Sequence, residues 1–131
     1  TVGGWAATES ENKGLEFILC TPEENPRAVE LLAMTVFYNR GGKLDLGHTL
    51  PIGESWLPGS ACDHLLVSLP YPFGPELEIA HVGDRHVQFT WLLPITDAER
   101  ALKVARGVEA LESIFDQVGL HFWQVDRESV V

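Results

Sequence analysis

Cysteines, basic residues and long apolar runs are all scarce in this sequence, and each shortage narrows what the chain can be. Cys20 and Cys62 are the only cysteines in 131 residues. They read as two free thiols in a reducing cytoplasm. Nine Lys and Arg stand against nineteen Asp and Glu, for a net charge of −10. The deficit is even along the chain, with nine acids to four bases in residues 1–70 and ten to five in 71–131. Nucleic-acid binding draws most of its affinity from Lys and Arg on phosphates, so direct DNA or RNA binding is not expected. A basic protein partner would instead be steered toward such a surface. Pro70, Pro72, Pro94 and scattered charges keep every apolar run well short of the ~20 residues that cross a bilayer, so no membrane span is expected.

The start, Thr1-Val2-Gly3-Gly4-Trp5, lacks the basic and then apolar leader of an exported protein, which favours a cytoplasmic location. It also lacks an initiator Met, so it is expected to be part of something longer that carries a further N-terminal segment. No repeat, low-complexity tract or long linker divides the chain. The expectation is a single α+β domain over 1–131, with a mainly antiparallel or mixed sheet packed by two principal helices.

The elements follow from local signals. Leu15-Glu-Phe-Ile-Leu-Cys20 reads as a strand entering the core. Asn25-Pro26 reads as an N-cap and first helical residue, opening a helix to about Asn39 that Gly41-Gly42 ends. Val29, Leu32, Ala33, Val36 and Phe37 mark its expected inner face. Residues 43–61 lack periodicity and read as a loop with one short strand near Gly47–Leu50. His64–Leu69 follows as a buried strand, closed by the breaker Pro70-Tyr71-Pro72-Phe73-Gly74-Pro75. Glu76–Val82 and Arg85–Leu93 then form a hairpin around Gly83-Asp84, whose leading glycine suits a type II′ turn. Thr96-Asp97-Ala98-Glu99 is a capping box. The helix it opens is expected to run unbroken to Gly119, with Ala101, Leu102, Ala105, Val108, Leu111 and Phe115 inward and Glu112 as the one polar interruption. Leu120–Val125 reads as a last short strand, with Trp123, like Trp91, in the core.

Catalytic signals are weak. The histidines are His48, His64, His81, His86 and His121, with no His-Glu-x-x-His or Cys-x-x-Cys spacing to bring ligands together. No metal site or cofactor is expected. Ser55 and Ser60 lie near His48, yet no Gly-x-Ser-x-Gly is present, and Gly3-Gly4 and Gly41-Gly42 match neither phosphate-binding fingerprint. No catalytic residue is assigned. Trp56 sits in the irregular loop, where a large ring either pins the loop to the core or anchors a partner.

Taken in order, the Leu15–Leu19 strand, the Pro26-led helix ending near Val36-Phe37-Tyr38, Gly47-His48 before Pro51, and Leu65-Leu66-Val67 form the first half of a pattern. Phe89–Leu93, Pro94-Ile95-Thr96 leading to Glu99, Gly107 with Leu111, and Arg127-Glu128-Ser129-Val130 complete it. The ordered set resembles the Suppressor of fused domain family. That resemblance implies a protein-binding module with no catalytic residues to transfer, and bacterial single-domain relatives are classed by genomic context with immunity proteins that neutralise a cognate toxin. Pro51, Pro94, Thr96, Glu99 and Gly107 are then markers of the fold. The partner-binding face is expected in the loop around Asp45, His48, Glu54 and Trp56, meeting a basic toxin domain. The alternatives are a small hydrolase or metal-dependent enzyme built from His48, Cys62 and His64, and a homodimer through an open strand edge.

Overall fold

A computed structural model describes residues 1–7 and 13–131. Its elements are β1 (Lys13–Ile18), α1 (Pro26–Tyr38), β2 (Thr49–Pro51), β3 (His64–Ser68), β4 (Ile79–Val82), β5 (Arg85–Ile95), α2 (Asp97–Arg106) and α3 (Val108–Val118). Short 3-10 turns occur at Gly4–Ala7, Asn39–Gly41, Tyr71–Phe73 and Pro75–Leu77. The strands form one mixed sheet in the order β1-β5-β3-β2, with β4 also on β5. β1 runs parallel to β5, and the other pairings are antiparallel.

The eleven-residue β5 is the hub, because three strands bond to it. Its side chains alternate between two covered faces, as a strand's period of two requires. Leu92 joins Leu15, Phe17, Leu65 and Val67 on one face, where Leu32, Met34 and Val36 of α1 pack. Trp91, Leu93 and Ile95 join Leu66 on the other, against Leu111 and Phe115 of α3. Each such large side chain contributes about 1.5–3 kcal/mol through burial. The turn at Gly83 has φ of 60° and among the described residues no non-glycine has positive φ, so Asp84 is not left-handed and the hairpin is type II′.

Four expectations need correction. First, α1 is rotated from its expected face: Leu31 and Thr35 are buried, while Val29 and Phe37 are 69% and 71% exposed. Thr35 can face inward because its hydroxyl donates to the Leu31 carbonyl at 2.8 Å, which removes the penalty of an unpaired polar group. Second, the expected long helix is two. Gly107, at φ 92° and ψ 162°, ends α2 and starts α3, so the fold has three helices around its sheet. Third, the segment expected as a strand at Glu76 begins instead with the turn Pro75–Leu77, and β4 starts at Ile79.

Fourth, Leu120–Val125 is not a strand but an irregular tail, turned by Gln124 N–H donating to the His121 carbonyl at 2.9 Å. Side chains fasten it. Phe122 stands edge-on to Trp91 with centroids 4.7 Å apart, and Val125 packs against the cluster of Leu31, Trp56, Leu57 and Cys62. Trp123 is consequently 49% exposed rather than core, with its ring stacked on His121.

The tail is locked by Arg127. Its guanidinium donates to both oxygens of the fully buried Glu99 carboxylate, at 2.7 and 2.8 Å, and to the Pro94 carbonyl at 2.9 Å. The same carboxylate accepts the N–H groups of Thr96 and Val130, so the capping box and the tail share one acceptor. Burial pushes the Glu99 carboxyl up, but the hydrogen bonds from Arg127, Thr96 and Val130, with the Arg127 charge, hold it below the ordinary range.

Two measurements test this frame. An added Cβ at Gly107 meets nothing within 4 Å, so Gly107→Ala carries only backbone strain, and urea unfolding should show a loss of about 1–3 kcal/mol. Glu99 has a folded pKa below its unfolded one, so its stabilisation is complete above the unfolded value and drains away as pH falls through the folded value. The stability gap between the native chain and Glu99→Gln should therefore be widest near neutral pH and narrow below about pH 4.3.

Candidate functional site

The loop between α1 and β3 is ordered by its own hydrogen bonds. Trp56 is 1% exposed, and its indole N–H donates to the Ser60 hydroxyl oxygen at 2.9 Å, which also accepts the Cys62 N–H at 3.1 Å. Ser55 donates to the Ser60 carbonyl at 2.6 Å. Trp56 therefore pins the loop from inside and presents no ring to a partner, which resolves the two roles open to it in favour of the core.

The other expected site residues lie on the surface. Asp45 and His48 are exposed and adjacent, the Asp45 N–H donating to His48 Nδ1 at 3.1 Å. The Glu54 carboxylate pairs with Arg27 of α1 at 2.7 Å. Asp45 and His48 thus form one group, and Glu54 with Arg27 a second.

His48, Cys62 and His64 do not converge. The His48 carbonyl accepts the Val67 N–H at one end of the β2–β3 pairing, and His64 lies opposite Pro51 at the other, a separation of roughly 10 Å at strand rise. Burial pushes the buried Cys62 thiol up, the wrong direction for a nucleophile. His64 Nδ1 is instead 2.7 Å from Asp63 Oδ1. Among the described residues no three His, Cys, Asp or Glu side chains are grouped to hold a metal.

A second site was missed in the sequence. A cleft of about 580 Å³ lies between α3, the α3-facing side of the sheet and the Tyr71–Phe73 turn, within the size range of ligand pockets. Trp91, Leu93, Phe115, Leu120 and Phe122 line it with apolar surface, and Glu109, Glu112, Asp116, Ser68 and Tyr71 supply polar groups. Ser68 is paired with Trp91 across the β3–β5 ladder, so both side chains point to this face. Glu112 accepts from Ser68 Oγ at 2.6 Å and from Tyr71 Oη at 3.4 Å. Burial, then the charges of Glu112, Asp116 and Glu78, push the Tyr71 phenol up, which marks the negative potential here. Among the described residues no Lys, Arg or His lines the cleft.

The clue in the sequence was Glu112, the polar residue interrupting the apolar spacing of α3. It interrupts because that position faces the cleft rather than the core. What the sequence hid was the opposite wall, since the proline-rich breaker gave no hint that Tyr71 would return to α3.

The fold is thus an α+β sheet protein with helices on both sides, a loop held by its own hydrogen bonds and an acid-rimmed cleft. The family model described as Suppressor of fused protein (SUFU) matches residues 4–128, and the chain belongs to that family. The crystal structure of a Suppressor of fused homologue from Neisseria gonorrhoeae FA 1090 is similar, at 39% identity with a TM-score of 0.80. The match covers 89% of this chain and 63% of that one, so this chain spans under two thirds of the homologue's length. Drosophila Suppressor of Fused shares the fold at 19% identity and a TM-score of 0.65, over 82% of this chain and 26% of that one. A chain of the Sufu-Fu complex crystal structure does so at 19% and 0.64, over 85% of this chain and 48% of that one. No curated protein matches the chain. Among the described residues no helix is long and apolar enough to cross a membrane.

Asp116 lies in the last turn of α3, where the helix dipole disfavours an acid, and four residues after Glu112. Asp116→Lys should therefore raise the unfolding free energy by about 0.5 kcal/mol, measured by urea titration at low salt.

Proposed function

We propose that this chain is a non-enzymatic protein-binding module, an immunity protein of the cytoplasm that neutralises a cognate bacterial toxin by direct binding as a single Suppressor of fused-like unit. The observation that carries the reading is the preorganised acidic loop. Trp56 and Ser60 fix its backbone, while Asp45, His48 and Glu54 stay exposed. A loop already held in one shape loses little entropy on binding. The net charge of −10 favours fast encounter with a basic partner and disfavours acidic ones. A Suppressor of fused protein of the same fold is held in a complex with Fu, and the similar Neisseria homologue is bacterial.

The test begins with capture of the tagged chain from its native cells, followed by expression of the captured protein in a neutral host. Growth arrest relieved by co-expression of this chain is the expected result. Recovery of the chain alone at low salt, or a captured protein without toxicity, would overturn the toxin reading. The triple variant Asp45→Asn, His48→Gln, Glu54→Gln should weaken that complex at least tenfold. Its unfolding midpoint should barely move, because an exposed pair such as Arg27–Glu54 contributes only about 0–1 kcal/mol.

A further inference from the structure

Glu109, Glu112 and Asp116 fall at successive turns along one face of α3 and share the cleft. Among the described residues none of the three forms an ion pair. The helix dipole favours Glu109 in the first turn, but Glu109 and Glu112 are like charges three apart, Glu112 and Asp116 four apart, and Asp116 meets the negative end of the helix. The neutral donors Ser68 and Tyr71 reach only Glu112. Beneath this rim the floor is apolar, which suits an aliphatic stem with a charged head.

A second observation points the same way. Trp91 is 5% exposed, and its Nε1 is a buried donor without an acceptor among the described residues. Buried donors are rarely left unpaired. Phe122 stands edge-on to that indole with ring centroids 4.7 Å apart, and both rings line the cleft. A polypeptide brings such an acceptor in its main-chain carbonyls, whereas a free metal ion or a simple amine does not.

We propose that the cleft is a docking site for an arginine side chain of the protein partner, its stem on Trp91 and Phe115 and its guanidinium among Glu109, Glu112 and Asp116. Arginine fits better than lysine because its planar fork donates to several carboxylate oxygens at once and stacks on aromatic rings. The inference rests on the protein-binding reading and assigns the partner's chemistry at the cleft beside α3, the helix whose first residue, Val108, packs beside Gly47 of the Asp45 loop.

The probe is N-acetyl-arginine N-methylamide, titrated into the intact 15N-labelled chain, with the indole N–H signal of Trp91 assigned through Trp91→Phe. The expected result is a saturable shift of that signal and of the Leu93, Glu112 and Phe115 amides, weakened by added salt. The citrulline analogue, equal in shape but uncharged, should bind at least tenfold more weakly. So should arginine to the variant Glu109→Gln, Glu112→Gln, Asp116→Asn, whose amide spectrum reports that it is folded. Shifts that are absent, lie elsewhere, or are equal for arginine and citrulline overturn the proposal. If a captured toxin binds the charge-neutralised variant as tightly as the native chain, the arginine site is wrong and the module reading stands. If no partner is captured while the titration succeeds, the reverse holds.

Discussion

The buried carboxylate of Glu99 is where three parts of the molecule are tied together. It completes the cap of α2 through the Thr96 N–H, accepts both arms of Arg127, and takes the Val130 N–H. Through Arg127 it also reaches the Pro94 carbonyl near the end of β5. An ion pair so deep adds little net stability over a well-packed apolar pair, but losing one partner strands the other's charge at large cost. Its significance is therefore positional. It decides where the irregular tail runs, and with it the placement of Phe122 and Val125, one beside the cleft and the other beneath the loop.

The two surfaces are built on opposite economies. The loop is stiffened by the hidden contacts of Trp56 and Ser60, so its exposed acids are presented at no further cost in ordering. The α3 face keeps Asp116 in the last turn, four residues after Glu112, where the helix would be steadier without it. That face has no cation among the described residues lining the cleft, whereas the paired Arg100–Asp97 on α2 has the look of an ordinary solvated surface.

Local chemistry was legible in the sequence wherever one short motif determined the backbone. Asn25 accepting the Arg27 N–H, the reciprocal Thr96–Glu99 bonds, and the Gly83 turn all follow from residues within a few positions of each other. The mixed α+β class and the family were legible for the same reason, as an ordered chain of such motifs. The rest depended on distant partners. Thr35 looked polar and outward until its own helix satisfied the hydroxyl. Gly107 lay inside what read as one unbroken helix until its φ of 92° split it, and apolar Leu120–Val125 read as a strand but is held by Trp91 and the Trp56 cluster instead. Of the expected binding residues, Asp45, His48 and Glu54 are on the surface and Trp56 is inside, because a tryptophan's place depends on whether something across the loop, here Ser60, can take its N–H.

The position of β5 has a consequence for how the chain is made. Lys13 pairs with His86 and Ile18 with Trp91, so the strand at the sheet's centre leaves the ribosome after β1 and β3, which bond to it. Until it arrives, nothing joins Leu15 and Phe17 of β1 to Leu65 and Val67 of β3 across the sheet, and such half-assembled surfaces are prone to self-association. Long-range pairing of this kind also slows folding. During that interval the even excess of acids along both halves of the chain keeps nascent copies apart by mutual repulsion, a service to biogenesis independent of any partner met later.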